Sequence, residues 1–156
     1  MDGVLCDFGA GIRRTTGMSK ARWMQQDRDE MWKPVLENTK FWHTMPWNPQ
    51  GRVMWNFIKK FDTHILSAYL EKVYDPNCIP GKRAWLRKNP RLVDRSRINL
   101  VRRKEKKNFA TKGGQKNILI DDYIKNVREF SSAGGIGIHH TSTAKTLSEL
   151  KKLGFK

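Results

Sequence analysis

Asn117-Ile118-Leu119-Ile120-Asp121-Asp122-Tyr123-Ile124-Lys125-Asn126 is the stretch on which the reading of the fold turns. Three consecutive aliphatic residues, bounded upstream by Lys112-Gly113-Gly114-Gln115, predict a short strand buried on both faces, as in a parallel sheet. The strand ends in adjacent aspartates. Side-by-side carboxylates repel unless a cation lies between them or water screens them. At the end of a buried strand a hard divalent cation with oxygen ligands meets that need, and Mg²⁺ is the usual one beside phosphate. An acidic N-cap for the following helix is the competing structural reading.

The first eight residues, Met1-Asp2-Gly3-Val4-Leu5-Cys6-Asp7-Phe8, carry a related signal. An acid, a glycine, two aliphatics and a second acid read as the C-terminal end of a buried strand turning into a loop. Gly3 falls where a side chain would obstruct a close backbone turn. Open α/β sheets bind ligands at such strand ends. A plain polar turn would satisfy these eight residues taken alone.

Composition bounds the possibilities. The chain has 156 residues, enough for one domain with a core. It is polar, at 38% hydrophobic and 29% charged residues, but six Trp and seven Phe argue against disorder. No apolar run is long enough to span a bilayer, and the start lacks a signal-peptide apolar region. Cys6 and Cys78 have no zinc spacing, so the expectation is two free thiols in a reducing cytoplasm, with Cys6 a small core residue. The net charge is +16, and residues 82–116 hold 14 Lys/Arg against only Asp94 and Glu105. Such a run is either a solvated face, an electrostatic funnel for phosphorylated substrates, or an affinity for nucleic acid. Only Trp85 and Phe109 interleave with it, which weakens a base-stacking platform.

Along the chain, Gly9-Ala10-Gly11 and Gly17 predict a flexible exit from the first motif, with Asp7 bracing it. Residues 19–39 show helical spacing, interrupted at Pro34. Five of the six tryptophans lie between residues 23 and 55. Residues 49–60 predict a helix, 64–68 a strand ending near Ser67, 69–74 the start of another helix, and 81–86 a basic helix with Trp85 inward. Ile98 to Val101 reads as a strand and 123–132 as a helix closed by Ala133-Gly134-Gly135. Ile136 to Ile138 reads as a last strand. His139 and His140 are expected in a loop, since neighbours on a strand would face opposite ways. Thr143 to Leu153 reads as an amphipathic terminal helix. Alternating strands and helices imply a mostly parallel three-layer α/β sheet.

MDGVLCDF, THILSAY, GKRAWL, KKNFA, ILIDDYIKNV and AGGIGIHH run in an order that resembles the haloacid dehalogenase superfamily of phosphotransferases. Within it the chain looks most like the 5′(3′)-deoxyribonucleotidase group and its bacteriophage-encoded relatives. The resemblance implies a Rossmann-like three-layer core over residues 1–10 and 61–156, with a small helical cap over 11–60. It implies a Mg²⁺-dependent phosphatase acting on (deoxy)nucleoside monophosphates through an aspartyl-phosphate, in the cytoplasm (the host's, if the source is viral). Asp2 would be the acid/base, Ser67 would bond the phosphoryl group and Lys106 would neutralise it, with Lys107 the runner-up. Asp2, through its carbonyl, Asp121 and Asp122 would hold the metal. Phe41 and Trp42 would help enclose the base, although each could equally pack the cap onto the core.

The chain departs from the family pattern at one point. Met1 stands between the two expected aspartates of the first motif, so the nucleophile, and the central strand carrying it, would precede Met1. The expectation is a longer reading frame, of which the chain from Met1 is an inactive and destabilised part. Two other readings compete. One is a phosphatase of nucleic-acid ends; the other is a non-catalytic nucleic-acid-binding protein on a decayed phosphatase scaffold.

Overall fold

The computed structural model describes residues 1–71 and 75–156. In chain order it comprises α1 (Phe8–Thr16), α2 (Lys20–Trp23), α3 (Arg28–Glu37), α4 (Gly51–Ile58), β1 (Ile65–Ala68), α5 (Cys78–Lys88) and β2 (Ile98–Val101). A 3₁₀ segment (Arg103–Phe109) follows, then β3 (Thr111–Lys112), β4 (Gln115–Lys116), β5 (Ile118–Asp121), α6 (Ile124–Ser132), β6 (Ile136–His139) and α7 (Thr143–Lys152). The class is mixed α/β, as the alternation of periods predicts.

The sheet is not continuous. β1 pairs in parallel with β2, setting Ser67 opposite Leu100, and β5 pairs in parallel with β6, setting Asp121 opposite His139. β3 and β4 form a separate antiparallel hairpin. Among the described residues, each parallel pair has two strands only. The reason lies in residues 1–7, which form a tight turn in which the N–H groups of Val4, Leu5 and Cys6 all point to the Met1 carbonyl at 2.8–3.3 Å. Isolated bridges from Asp2 to Cys6 and from Cys6 to Trp47 are the only β-pairing there among the described residues. The expected strand end is therefore a turn, and the sheet, expected without its central strand, is two half-sheets flanking that turn.

The main core gathers around that turn. Val4, Leu5 and Cys6 are buried with Ile12, Phe41, Trp42, Met45, Met54, Ile65, Trp85 and Leu86. Phe8, Trp23, Trp32, Phe41 and Trp42 form a contiguous aromatic cluster with ring centroids 4.9–6.4 Å apart, mostly edge-to-face or tilted. Residues 11–60 thus share one apolar cluster with the start of the chain and with β1 and α5. A smaller cluster of Ala110, Leu119 and Phe130 joins β5 to α6, with Leu66 of β1 packed against it.

Several local expectations change. Gly9-Ala10-Gly11 is helical, not a flexible exit, because Asp7 caps α1 by accepting the Ala10 N–H at 2.8 Å. Gly17, at φ 73°, ends that helix in the left-handed conformation glycine favours. Within 19–39 the break falls at Met24–Asp27 and Pro34 sits inside α3. α5 begins at Cys78, ahead of Gly81, since Pro80 in the first turn forfeits no intrahelical bond. Tyr69–Glu71 are not helical, and the rest of the helix expected over 69–74 lies outside the described residues. His139 closes β6 and is exposed, whereas His140 is buried and bonds Thr146 Oγ1 through Nδ1 at 2.8 Å.

The packing sets an order of mutational cost. Trp85 is fully buried and donates its indole N–H to the Met45 carbonyl at 2.7 Å, so Trp85→Ala is expected to cost about 3–5 kcal/mol. Asp7→Ala removes one cap and is expected to cost about 1 kcal/mol. Urea denaturation of the two variants beside the parent protein measures both.

Candidate functional site

The first turn and the acidic pair meet. Gly3 adopts φ 74°, and a Cβ placed there would lie 2.1 Å from Asp122 Oδ2, so the Asp122 carboxylate occupies the space the glycine leaves open. Asp2 lies on the other side of the turn. Its Oδ2 accepts from Lys82 Nζ at 2.5 Å and from Ser67 Oγ at 3.3 Å, and its Oδ1 accepts from Cys6 Sγ at 3.4 Å. Met1 and Asp2 therefore sit between the C-terminal ends of β1 and β5.

Lys82 is the residue that sequence reading did not single out. It is 1% exposed, and its ammonium also donates to Ser67 Oγ at 3.1 Å and to the Ala68 carbonyl at 2.5 Å. Three protons thus meet three acceptors, and the Trp42 ring lies 4.9 Å from Nζ. A buried ammonium needs such complete satisfaction. Its sequence signal was available, because Lys82 stands three and four residues before Trp85 and Leu86, on the apolar face of α5.

A second ion pair faces the first. Lys106, from the 3₁₀ segment, donates to Asp121 Oδ2 at 2.7 Å. Asn126 Nδ2 reaches both Asp121 oxygens at 3.1 Å, and the Tyr123 N–H bonds Oδ1 at 2.9 Å. Asp122 is held by Lys20 at 3.7 Å. The quartet Asp2, Lys82, Asp121 and Lys106 is balanced in charge and buried or half-buried, with Ser67, 1% exposed, beside it.

The electrostatics follow from that pairing. Burial pushes the Asp2 carboxyl up, but the Lys82 ammonium, the Met1 amine and hydrogen bonds outweigh it and hold the group down at about 2. Lys82 is raised: burial works against its charge, and Asp2 overrides burial. Asp121 is likewise lowered, because Lys106 and the Tyr123 N–H outweigh its burial. Burial lowers the Met1 α-amine, against the pull of Asp2 and Asp121. Burial raises both thiols, Cys6 well above its usual range and Cys78 to about 11. Neither cysteine is an activated nucleophile.

Of the residues expected at the site, Asp2, Ser67, Lys106, Asp121 and Asp122 are brought around one turn. Lys107 is exposed, outside it. Phe41 and Trp42 depart from expectation as base-enclosing residues: they are 0% and 3% exposed, sealed in the aromatic cluster, and the Trp42 indole N–H bonds Asp75. The acids Asp2, Asp121 and Asp122 fit Mg²⁺ in kind, as oxygen donors at one strand end. As folded, they are turned to three different lysines. Among the described residues no three His, Cys, Asp or Glu side chains gather as a ligand group. No helix is long and apolar enough to cross a membrane, again among the described residues.

No protein-family model matches the chain, and no curated protein matches it in sequence.

The Asp2–Lys82 pair predicts an acid limb in the stability profile. Asp2 has a folded pKa below its ordinary 3.8, so its contribution is complete above about pH 4 and is lost as pH falls towards 2. Lys82→Met leaves Asp2 half-buried without its cation and is expected to cost roughly 3 kcal/mol at neutral pH. That variant should also lose less melting temperature than the parent between pH 5 and pH 3, as thermal melts across that range will register.

Proposed function

We propose that the C-terminal ends of β1 and β5, around the Met1–Cys6 turn, form the phosphoryl site of a Mg²⁺-dependent phosphatase of nucleoside monophosphates, on a Rossmann-like core of haloacid dehalogenase type. The observation that carries this reading is that the Asp2–Ser67–Lys82 group and the Lys106–Asp121 pair stand at two strand ends joined through the Gly3–Asp122 contact. A hydroxyl and a lysine with protons to spare suit a phosphate group, and the carboxylates suit proton transfer beside it. Lys106 has one bonded proton to Asp121, which leaves donors for a phosphoryl oxygen.

In this reading the attacking carboxylate is an aspartate immediately before Met1, at the end of an apolar strand lying between β1 and β5. Support comes from the edges of those strands, which lack partners among the described residues, and from Met1, whose buried main chain lies between their ends. The carboxylate forms a bond to phosphorus as the phosphorus–oxygen ester bond breaks, and Asp2 delivers a proton to the departing nucleoside oxygen. Water then attacks phosphorus, Asp2 takes its proton, and the acyl-phosphate bond breaks to release inorganic phosphate and the free carboxylate. A carboxyl held down at about 2 is ionised at neutral pH and has no proton to give, so the incoming phosphate dianion has a second task. Its charge competes for Lys82 and raises Asp2 towards the working range. Asp121 and Asp122 would hold Mg²⁺, whose chemistry when bound is to offset charge on the phosphoryl oxygens.

The test is phosphate release from a panel of deoxynucleoside monophosphates. The chain from Met1 is assayed beside a version extended by an apolar strand ending in Asp. The extended form is expected to turn over only with Mg²⁺, and Asp121→Asn to lower its rate by about 10²-fold or more. Mg²⁺ should also raise the melting temperature of the extended form, with the shift absent in Asp121→Asn. Two folded proteins that neither release phosphate nor respond to Mg²⁺ would remove the phosphatase reading.

A further inference from the structure

The strong positive charge is not absorbed by this chemistry. Much of it lies on one surface built from the Arg103–Phe109 segment, the β3–β4 hairpin and α6. Lys106 points inward from that segment to Asp121, while its neighbours Lys104 and Lys107 are exposed. The hairpin is exposed from Thr111 to Asn117 and carries Lys112 and Lys116 around the Gly113-Gly114 turn. It is tied to the segment by Asn117, whose side chain donates to the Phe109 carbonyl at 2.8 Å. α6 adds Lys125 and Arg128, and Arg128 lines one shallow depression with Lys107.

The acids on this surface do not neutralise it. Glu105 accepts the Arg102 backbone N–H at 2.8 Å. Glu129 is gripped by both terminal nitrogens of Arg103, at 2.8 and 3.3 Å, a fork that leaves Arg103 spent as well. Lys104, Lys107, Lys112, Lys116, Lys125 and Arg128 have no carboxylate within ion-pair distance among the described residues. Six exposed, unneutralised cations therefore begin one residue from the buried quartet and spread away from it.

We infer that this surface binds the phosphodiester backbone of a nucleic acid, running from the mouth of the site across the 3₁₀ segment and the hairpin. Six exposed cations without a carboxylate at ion-pair distance are matched by a ligand bearing several regularly spaced negative charges, which a mononucleotide cannot supply. The hairpin has no exposed aromatic residue, so binding is by charge and carries little base preference. This inference goes beyond the phosphatase reading and stands independently of it.

The experiment is fluorescence anisotropy with a labelled single-stranded oligodeoxynucleotide of about twelve residues, across about 50–200 mM salt. The parent chain is compared with a variant carrying Lys104→Gln, Lys107→Gln, Lys112→Gln and Lys116→Gln, all exposed and outside the quartet. The parent should bind with a log–log salt slope near −3 or steeper, at about −0.7 for each phosphate engaged. The fourfold variant should bind at least tenfold more weakly, with a slope flatter by about two to three units, and with an unchanged melting temperature. An equal slope in the variant, or binding indifferent to salt, overturns the inference. So does retention on anionic lipid vesicles without oligonucleotide binding. A chain that binds oligonucleotide but releases no phosphate keeps this inference and loses the phosphatase; the reverse result does the opposite.

Discussion

A buried ammonium must be answered on every proton, and Lys82 is the point from which this structure is best understood. Its three acceptors come from two separate parts of the chain, Asp2 in the first turn and Ser67 with the Ala68 carbonyl at the end of β1, all reached from α5. Satisfying one charge thus fixes the position of the N-terminal turn against a strand end and a helix. The Trp42 ring closes over the ammonium and connects it to the aromatic cluster of residues 8–42. Removing either charge leaves the other stranded, which is why the pair is costly to break even where its net contribution to stability is modest.

The second ion pair repeats the device on the other half-sheet. Lys106 holds Asp121, Asn126 and the Tyr123 N–H fix the orientation of the carboxylate, and Asp122 drops onto Gly3. Two half-sheets, each parallel, therefore meet through the Gly3–Asp122 contact and the packing of Leu66 on the Leu119 cluster rather than through ladder hydrogen bonds. The Met1–Cys6 turn fills the mouth between them. Chemistry and folding draw on the same few residues here, so a change that alters one alters the other.

Much of this was legible because it follows from local pattern. The Ile118-Leu119-Ile120 run read as a strand and is one, although it is buried on the Leu119 face and only half-buried on the other; the helix after it ended where Ala133-Gly134-Gly135 required, and Gly3 marked a close approach that turns out to be Asp122. Other features depended on contacts that no spacing encodes. α1 looked like a glycine-rich loop until Asp7 was seen to cap it. Phe41 and Trp42, attractive as a surface for a base, are consumed by a core that needs large side chains to bridge residues 8–54. Lys82 was hidden in a basic run, where most lysines are solvated. Only its register with Trp85 and Leu86 distinguishes it. The split of the sheet agrees with the expectation that the central strand is missing from Met1–Lys156, whereas the turn that residues 1–6 make between the halves was not readable.

The central claim is that the strand ends carrying Ser67 and Asp121 accept a phosphoryl group, with Ser67 and Lys106 as its donors. A crystal of the protein soaked with tungstate in the presence of Mg²⁺ addresses it most directly, because the tungsten atom reports its own position by anomalous scattering. The account predicts one strong peak within hydrogen-bonding reach of Ser67 Oγ and Lys106 Nζ. A peak confined to the exposed lysines of the hairpin, with the cleft empty, would contradict it.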